Sequence, residues 1–437
     1  MEPIRIGLLG LGTVGGGTLR VLSRNAREIT RRAGRPIRVV EICAREFNPD
    51  AIGSLQGINI AERPETVVTN PDIDVIVELF GGIEPARSLL LTAIANRKHI
   101  VTANKALIAK HGNEIFEAAR ENGVMVNFEA AVGGGIPIIK ALREGLGANR
   151  IEWIAGIING TGNFILTEMQ QKGRTFGDVL AEAQRLGYAE ADPSFDVEGI
   201  DAAHKLAILA AIAFGNPLQF DKIYTKGIAS ITPEDVEYAE QLGYRIKHLG
   251  IARRTEAGIE LRVHPTLIPK HSLIANVDGV MNAILVKGNA VGPTLYYGAG
   301  AGSEPTASAV VADLIDITRV LTASPENQVP HLAFQPDAIE HIPILSMPEV
   351  KTAYYLRMWV ADRPGVLAHI ARIFGSRGIS IEAVIQKQLS PGATDVPLIM
   401  LTQRVAEGYM NDAITEIEAL DSVRDKVTRI RMEQLEE

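Results

Sequence analysis

The chain has 437 residues, 46% apolar and 22% charged, with 44 lysines and arginines against 52 aspartates and glutamates. That length predicts two or three domains with ordinary globular cores, and the formal net charge of −8 excludes a nucleic-acid binder that rests on bulk electrostatics. A lone cysteine, Cys43, rules out an internal disulfide and, with an N-terminus lacking signal-peptide organisation, predicts a soluble cytoplasmic protein.

Ile4 to Leu9 reads as a short apolar strand that runs into Gly10, Leu11, Gly12, Thr13, Val14 and Gly15, with helix formers through Leu22. Strand, glycines and helix in that order form a dinucleotide signature. The glycines permit a tight turn and close approach of a pyrophosphate, which the helix N-terminus stabilises. The basic run Arg27 to Arg38 is a solvated helix end. The next strand, Ile37 to Cys43, bears on the ribose. An acidic residue at its end would bind the 2′-hydroxyl of NAD, whereas an arginine accommodates the 2′-phosphate of NADP. Glu41 falls inside the strand and Arg45 just past it, which favours NADP over NAD.

Strands at Ile73 to Phe80, His99 to Thr102 and Val124 to Phe128 alternate with helices at Pro85 to Asn96 and Ala106 to Asn122. The alternation predicts a Rossmann-type, doubly wound parallel sheet in an α/β domain over residues 1–136. Ligands sit at the carboxyl ends of such strands, so Lys105 lies on the functional edge. Position alone leaves it evenly balanced between a working and a merely solvated lysine.

The chain leaves this sheet through Glu129, Val132, Gly133, Gly134, Gly135, Ile136 and Pro137. Glycines ahead of a proline break regular structure and expose carbonyl oxygens. One carboxylate with free carbonyls suits a hard cation such as sodium, although residue pattern alone favours a plain hinge. Ile151 to Ile158 is a strand that ends in a polar loop, Asn159, Gly160, Thr161, Gly162 and Asn163. Helices are predicted over Phe164 to Gln171, Phe176 to Leu186 and Gly199 to Phe214, with an acidic, turn-rich segment from Gly187 through Glu190 to Pro193 and short strands around Leu249 and Leu261. The apolar run Leu206 to Phe214 is too short to span a bilayer. Asp201 and Lys205 stand four apart on one helix face. By spacing alone they form a surface ion pair, but a lysine held by carboxylates near a nicotinamide is what carbonyl reduction requires. Leu295 to Pro305 reads as a flexible glycine loop, leading into a helix from Thr306 to Val320 that packs back on the first domain.

Residues 323–350, rich in proline and histidine, read as a linker. Beyond it, Tyr354 to Val360, Val366 to Arg377, Ile379 to Val384, Val396 to Leu401, Tyr409 to Leu420 and Val427 to Met432 give the order βαββαβ, a self-contained ferredoxin-like unit over 351–433.

With these motifs laid out, the chain resembles the monofunctional homoserine dehydrogenases that carry a C-terminal ACT domain. The likeness runs nearly end to end. It rests on Gly10 to Gly15, Thr102 to Lys105, Glu129 to Pro137, Asn159 to Asn163, Gly187 to Pro193 and Gly199 to Lys205. Gly162, where the family usually has threonine, and Ala191, where proline is common, depart from it. The resemblance implies a Rossmann domain completed by the returning helix at about 305–322, an α+β substrate-binding and dimerisation domain over 137–304, and an ACT regulatory domain. It further implies NAD(P)-dependent, reversible reduction of L-aspartate 4-semialdehyde to L-homoserine, in threonine, methionine and isoleucine biosynthesis.

On that likeness Lys205 is the general acid, becoming the base in the reverse direction. Asp201 orients it and helps bind substrate, and Lys105 is the other candidate acid. Glu190 receives the substrate ammonium, with Asn159, Gly160 and Thr161 nearby. Gly10 to Gly15, Arg45, Thr102, Lys105, Gly187, Glu190, Gly302 and Glu304 face the cofactor. The carbonyls of Glu129, Val132, Gly134 and Ile136 hold a sodium ion. Threonine at the ACT turn Asp362 to Gly365, and a homodimer or homotetramer, complete the expectation. A phosphorylating semialdehyde dehydrogenase is set aside because it needs a catalytic-domain cysteine, and Cys43 lies in the nucleotide domain. A non-catalytic NADP-binding amino-acid sensor has no use for Asp201, Lys205 and Glu190.

Overall fold

The computed structural model describes residues 2–45, 55–321, 329–386 and 394–435. Its first sheet is made of β1 (Ile4–Leu9), β2 (Ile37–Cys43), β3 (Asn59–Ile60), β4 (Val75–Glu78), β5 (His99–Thr102) and β6 (Val126–Asn127). All pairings are parallel, in the order β3-β2-β1-β4-β5-β6. Parallel strands must be covered on both faces, which is why β1, β4 and β5 read as apolar runs without alternation. On one face Ile6, Leu8, Val77 and Val101 pack with Leu19 of the helix Thr13–Arg24 and with Val310 and Leu314 of Ser303–Val320. On the other, Ile76 and Ile100 meet Leu90 of Ala86–Ala95 and Ile108 of Lys105–Asn122.

The returning helix starts at Ser303, three residues before the predicted start, and docks where Gly17 leaves room: a Cβ there would lie 2.6 Å from the Ser303 carbonyl oxygen. Arg20 donates to Ser303 Oγ at 2.7 Å and Arg24 grips both oxygens of Glu304 at 3.0 and 2.8 Å.

The middle of the chain holds more sheet than its sequence suggests. Its strands are β7 (Ile151–Ile157), β8 (Tyr224–Thr225), β9 (Tyr244–Arg254), β10 (Ile259–Pro269), β11 (Met281–Gly288) and β12 (Gly292–Ala299). The short strands expected around Leu249 and Leu261 are the centres of a long antiparallel hairpin, β9–β10. Leu295 to Gly298, read as loop, pairs with β11. The full length of β9 and β10 was hidden because both are buried nearly throughout, so polar and apolar positions do not alternate.

The C-terminal unit has β13 (Lys351–Ala361), β14 (Ile381–Gln386), β15 (Asp395–Ala406) and β16 (Thr428–Met432), with helices Val366–Ser376 and Glu407–Glu418. Its order β16-β13-β15-β14 is that of the ferredoxin-like arrangement. It is not self-contained: β16 pairs parallel with β10, Thr266 facing Arg431 and Leu267 facing Met432, so one sheet runs from β12 to β14. Buried ion pairs cross the junction. Arg262 of β10 binds Glu433 at 2.5 Å, and Arg357 of β13 binds Asp235 at 2.7 Å.

Of the predicted linker, residues 323–328 lie outside the described residues. The rest is a strap stitched to its surroundings. His331 accepts a hydrogen bond from the Val126 amide at 3.1 Å and stacks on Phe116, Glu340 donates to the Gly215 carbonyl at 2.8 Å, and the Ile259 amide donates to Pro343 at 2.9 Å. Among the described residues no helix is long and apolar enough to cross a membrane.

Candidate active site

The helix Ile200–Phe214 is buried from Asp201 to its end, a consequence of its nearly unbroken apolar and alanine sequence. It therefore carries Asp201 and Lys205 inside the protein rather than on a solvated face. Gly199, at φ 85°, makes the entry turn. A side chain there would press on His248 of β9 at 3.1 Å. Lys205 donates to Asp201 Oδ2 at 2.7 Å and to the Ile158 carbonyl at 2.7 Å. Lys105, first residue of its helix, brings a second ammonium to 3.2 Å from Asp201 Oδ1. Its nitrogen also lies 5.9 Å from the ring centre of Phe195, which stacks on His204 in turn.

Asn159 organises the other side. What reads as a loop is a helix start: Asn159 caps Gly160–Lys172, accepting from the Gly162 amide at 2.7 Å. Its amide nitrogen donates to Asp201 Oδ2 at 2.9 Å and to Asp196 Oδ1 at 2.8 Å. Every hydrogen-bonding group of that side chain that faces the site is used. Thr161 donates to the Tyr188 carbonyl at 2.7 Å, tying this helix to the segment after Gly187.

These contacts set the charges. Burial opposes ionisation of Asp201, but the ammonium groups of Lys205 and Lys105, with hydrogen bonds from Lys205 and Asn159, hold it well below the usual carboxylate range. Lys205 is pushed below an ordinary lysine, first by burial and then by Lys105, with Asp201 acting in opposition. Burial raises Asp196.

The three groups open on a cavity of about 570 Å³ between the first sheet and the middle domain. One end has Thr13, Val14, Gly302 and Thr306; the other has Gly160, Thr161, Tyr188, Asp196 and Val280, with Lys105, Asp201 and Lys205 also in its wall. Ala103, Asn159, Gly187 and Gly300 line it as well. At the first end the glycine turn fits a pyrophosphate. Gly10 has φ 99°, a Cβ on Gly15 would lie 2.1 Å from the Gly10 carbonyl oxygen, and Gly12 faces open space. The helix behind it has no side-chain cap, leaving its first amides for an anion.

Not every predicted residue converges. Glu190 is exposed and stands outside the cavity wall, its carbonyl accepting from Gln184 at 3.1 Å. Thr102 is fully buried and spends its hydroxyl on Glu78 at 2.6 Å. Arg45 is exposed just past β2. Glu304 is engaged by Arg24. Glu129 turns its carboxylate to the amides of Ile139 and Lys140, both at 2.9 Å, rather than to an ion. Its carbonyl accepts from Val132 at 3.4 Å and that of Ile136 from Ile138 at 2.8 Å. Among the described residues no amide donates to the carbonyls of Val132 or Gly134, and no trio of His, Cys, Asp and Glu is arranged for a metal.

Asp196 was missed by sequence reasoning. It lies just beyond the acidic turn, and only the fold brings it beside Asp201 through their shared partner Asn159.

Comparison with known proteins accords with this geometry. A homoserine dehydrogenase of Pseudomonas aeruginosa is 65% identical over 435 residues, covering 100% of both chains. The chain belongs to the homoserine dehydrogenase family. Three family models match in succession: the homoserine dehydrogenase NAD-binding domain over 10–129, homoserine dehydrogenase over 137–315 and the ACT domain over 354–407. A homoserine dehydrogenase of Bacillus subtilis is 37% identical, with 99% of each chain covered. The crystal structure of a homoserine dehydrogenase from Thiobacillus denitrificans is 66% identical and superposes with a TM-score of 0.95 over 100% of this chain and 99% of that one. A hyperthermophilic archaeal homoserine dehydrogenase in complex with NADPH is 28% identical over 72% of this chain and 98% of its own, with a TM-score of 0.62. The protein is thus an oxidoreductase with homoserine dehydrogenase activity, an NAD(P)-binding domain and an ACT domain.

Proposed function

We propose that the cavity reversibly reduces L-aspartate 4-semialdehyde to L-homoserine, serving threonine, methionine and isoleucine synthesis in the cytoplasm, with Lys205 as general acid. The observation that carries this is the geometry of the Lys205 ammonium. Two of its hydrogens are committed, to Asp201 and to the Ile158 carbonyl at 2.7 Å each. An ammonium has three, which leaves one for an oxygen in the cavity. A reduced nicotinamide bound at the glycine turn supplies the hydride. Lys205 gives its proton to the aldehyde oxygen as negative charge develops there, and takes it back when homoserine is oxidised. Asp201 fixes the direction of that N–H, and Lys105 adds a second positive charge beside the same oxygen.

The substrate ammonium requires a carboxylate. Family likeness points to Glu190, whereas the carboxylates in the cavity wall are Asp196 and Asp201, the latter already paired with Lys105 and Lys205. We favour Asp196 as the nearer group, with Asn159, Gly160 and Thr161 around it. Arg45 beyond β2 favours NADP over NAD, in line with the NADPH held by the archaeal relative. The carbonyls of Val132 and Gly134, with the spare lone pairs of Glu129 and Ile136, suit a sodium ion that ties the inter-domain segment. Threonine is the proposed ligand of the Asp362–Gly365 turn, and a homodimer or homotetramer the proposed assembly. An absorbance assay with aspartate semialdehyde and each reduced nicotinamide tests the core reading. Turnover lost in Lys205→Ala with NADPH binding kept is the expected result; no turnover by the unaltered protein overturns it.

A further inference from the structure

One wall of the cavity, the segment Val277 to Met281, has little regular structure of its own and is held in place from outside. Asn163, 1% exposed, donates its side-chain amide to three of its carbonyls: Val277 at 3.0 Å, Gly279 at 3.0 Å and Met281 at 3.2 Å. Lys247, fully buried, donates to the Val277 carbonyl at 2.6 Å and to Asp278 at 3.0 Å, and reaches the Asn163 oxygen at 3.4 Å. Thr167 accepts from the Gly279 amide at 3.1 Å. Burying a lysine with a single carboxylate is costly unless its remaining hydrogens are used, and here they go to the Val277 carbonyl and to Asn163.

The clamp has a target. Val280, at the centre of the segment, lines the cavity beside Gly160 and Thr161. Its carbonyl oxygen lies so close to Gly160 that a Cβ there would sit 2.7 Å away. Asn163 is on the same helix as Asn159, Gly160 and Thr161. One helix thus presents polar groups to the cavity from its first turn and uses its next buried amide to fix the opposite apolar wall.

We infer that Asn163, with Lys247 and Thr167, is a positioning residue for the substrate end of the cavity, setting the distance between Val280 and the Asn159–Thr161 turn. The inference rests on the proposed substrate site. The substrate is small, and displacement by about 1 Å costs on the order of 10²-fold in rate. Among the described residues, none of the hydrogen bonds of Asn163, Lys247 and Thr167 reaches the cofactor end at Thr13, Gly302 and Thr306.

The test is steady-state kinetics of the full-length protein with Asn163→Ala and the milder Thr167→Val. Asn149→Ala serves as control, because Asn149 holds the remote turn at Ala290 and Val291. We expect KM for aspartate semialdehyde to rise about tenfold or more in Asn163→Ala and less in Thr167→Val. KM for NADPH should stay within about twofold in both. Asn149→Ala should lower the melting temperature without moving either KM. Should Asn163→Ala fail to fold, Thr167→Val decides alone. Equal changes in both KM values, or none beyond the control, overturn the inference; absence of turnover in the unaltered protein would instead overturn the proposed function.

Discussion

Lys205 donates to Asp201 across one helical turn, at 2.7 Å, inside a helix whose side chains are buried. An exposed pair at this spacing contributes little. Here burial lowers the lysine and Asp201 resists that lowering, so the carboxylate helps keep the proton on the proposed general acid. Lowered below an ordinary lysine, Lys205 loses its proton at lower pH than usual. Reduction should therefore fall, and oxidation rise, as pH increases through its titration. Asp201→Asn removes the opposing charge and should shift the fall in reduction to lower pH, with turnover down about 10²-fold or more. Rate profiles in both directions measure this. An unshifted profile in Asp201→Asn would refute it.

In the proposed reading the ribose preference turns on Arg45, exposed just beyond β2. Arg45→Ala should raise KM for NADPH about tenfold while KM for NADH changes little, because only the former offers a 2′-phosphate. Parallel kinetics with the two cofactors decide the point. Equal effects would return the choice to NAD.

Arg357 and Asp235 cross from the C-terminal unit to the catalytic domain at 2.7 Å, with Asp235 also capping the helix Pro233–Gln241 through Thr232. Arg357→Met leaves a buried carboxylate without its cation and should cost about 3–5 kcal/mol, read by chemical denaturation. A chain cut near Pro343 would lose this pair along with β16, so it is a poor test of regulation. Threonine response is better compared between the unaltered protein and Gly365→Asp, which sets a carboxylate at the uncapped start of Val366–Ser376. Inhibition of the first alone is expected; inhibition of both or neither removes threonine from the turn.

Gly300 lines the cavity directly over Asn282, and a Cβ there would lie 1.9 Å from Asn282 Nδ2. Gly300→Ala must displace the buried Asn282 side chain or the backbone of Gly300, between the two ends of the cavity. A fall in kcat/KM of about 10²-fold is expected. Activity near that of the unaltered protein would show that the wall yields.

Gly162 stands where the family resemblance leads one to expect threonine, and His248 is its neighbour. Nε2 of His248 faces the Lys226 carbonyl at 3.0 Å and so carries the hydrogen, leaving buried Nδ1 without a partner. Burial lowers this histidine to about 4, keeping it neutral. A Cβ on Gly162 would lie 3.6 Å from Nδ1 and 3.3 Å from Asn159 Oδ1. Gly162→Thr supplies a hydroxyl and a better helix former, and should raise stability by about 0.5–1 kcal/mol. A lowered melting temperature would mean that the contact with Asn159 dominates.

The first sheet was readable because parallel strands between helices leave apolar runs punctuated by glycine, and Gly10 to Gly15 stand where β1 ends. Lys105, Asp201 and Lys205 could be picked out by type and position, but their meeting could not, since it depends on how two helices approach. Asp196 and Asn159 join the site through a hydrogen-bond network that has no linear signature. The hairpin β9–β10 was misread for a different reason: burial on both faces erases the period of two on which strand reading rests. The junction between β16 and β10 lay beyond sequence reasoning altogether, because a parallel pairing between remote segments leaves no turn to announce it.

That junction also orders events in time. β16 occupies residues 428–432 and fills the place between β10 and β13. The Rossmann sheet uses only early residues and can close while the chain is still being synthesised. The central sheet cannot. Until Thr428 to Glu433 have left the ribosome, β10 is unpaired at Thr266 and Leu267, beyond its short pairing with β8, and Arg262 waits for Glu433. A nascent chain stalled or cut short before β16 would therefore hold a finished nucleotide domain and an unfinished catalytic one, with part of a strand edge left unpaired.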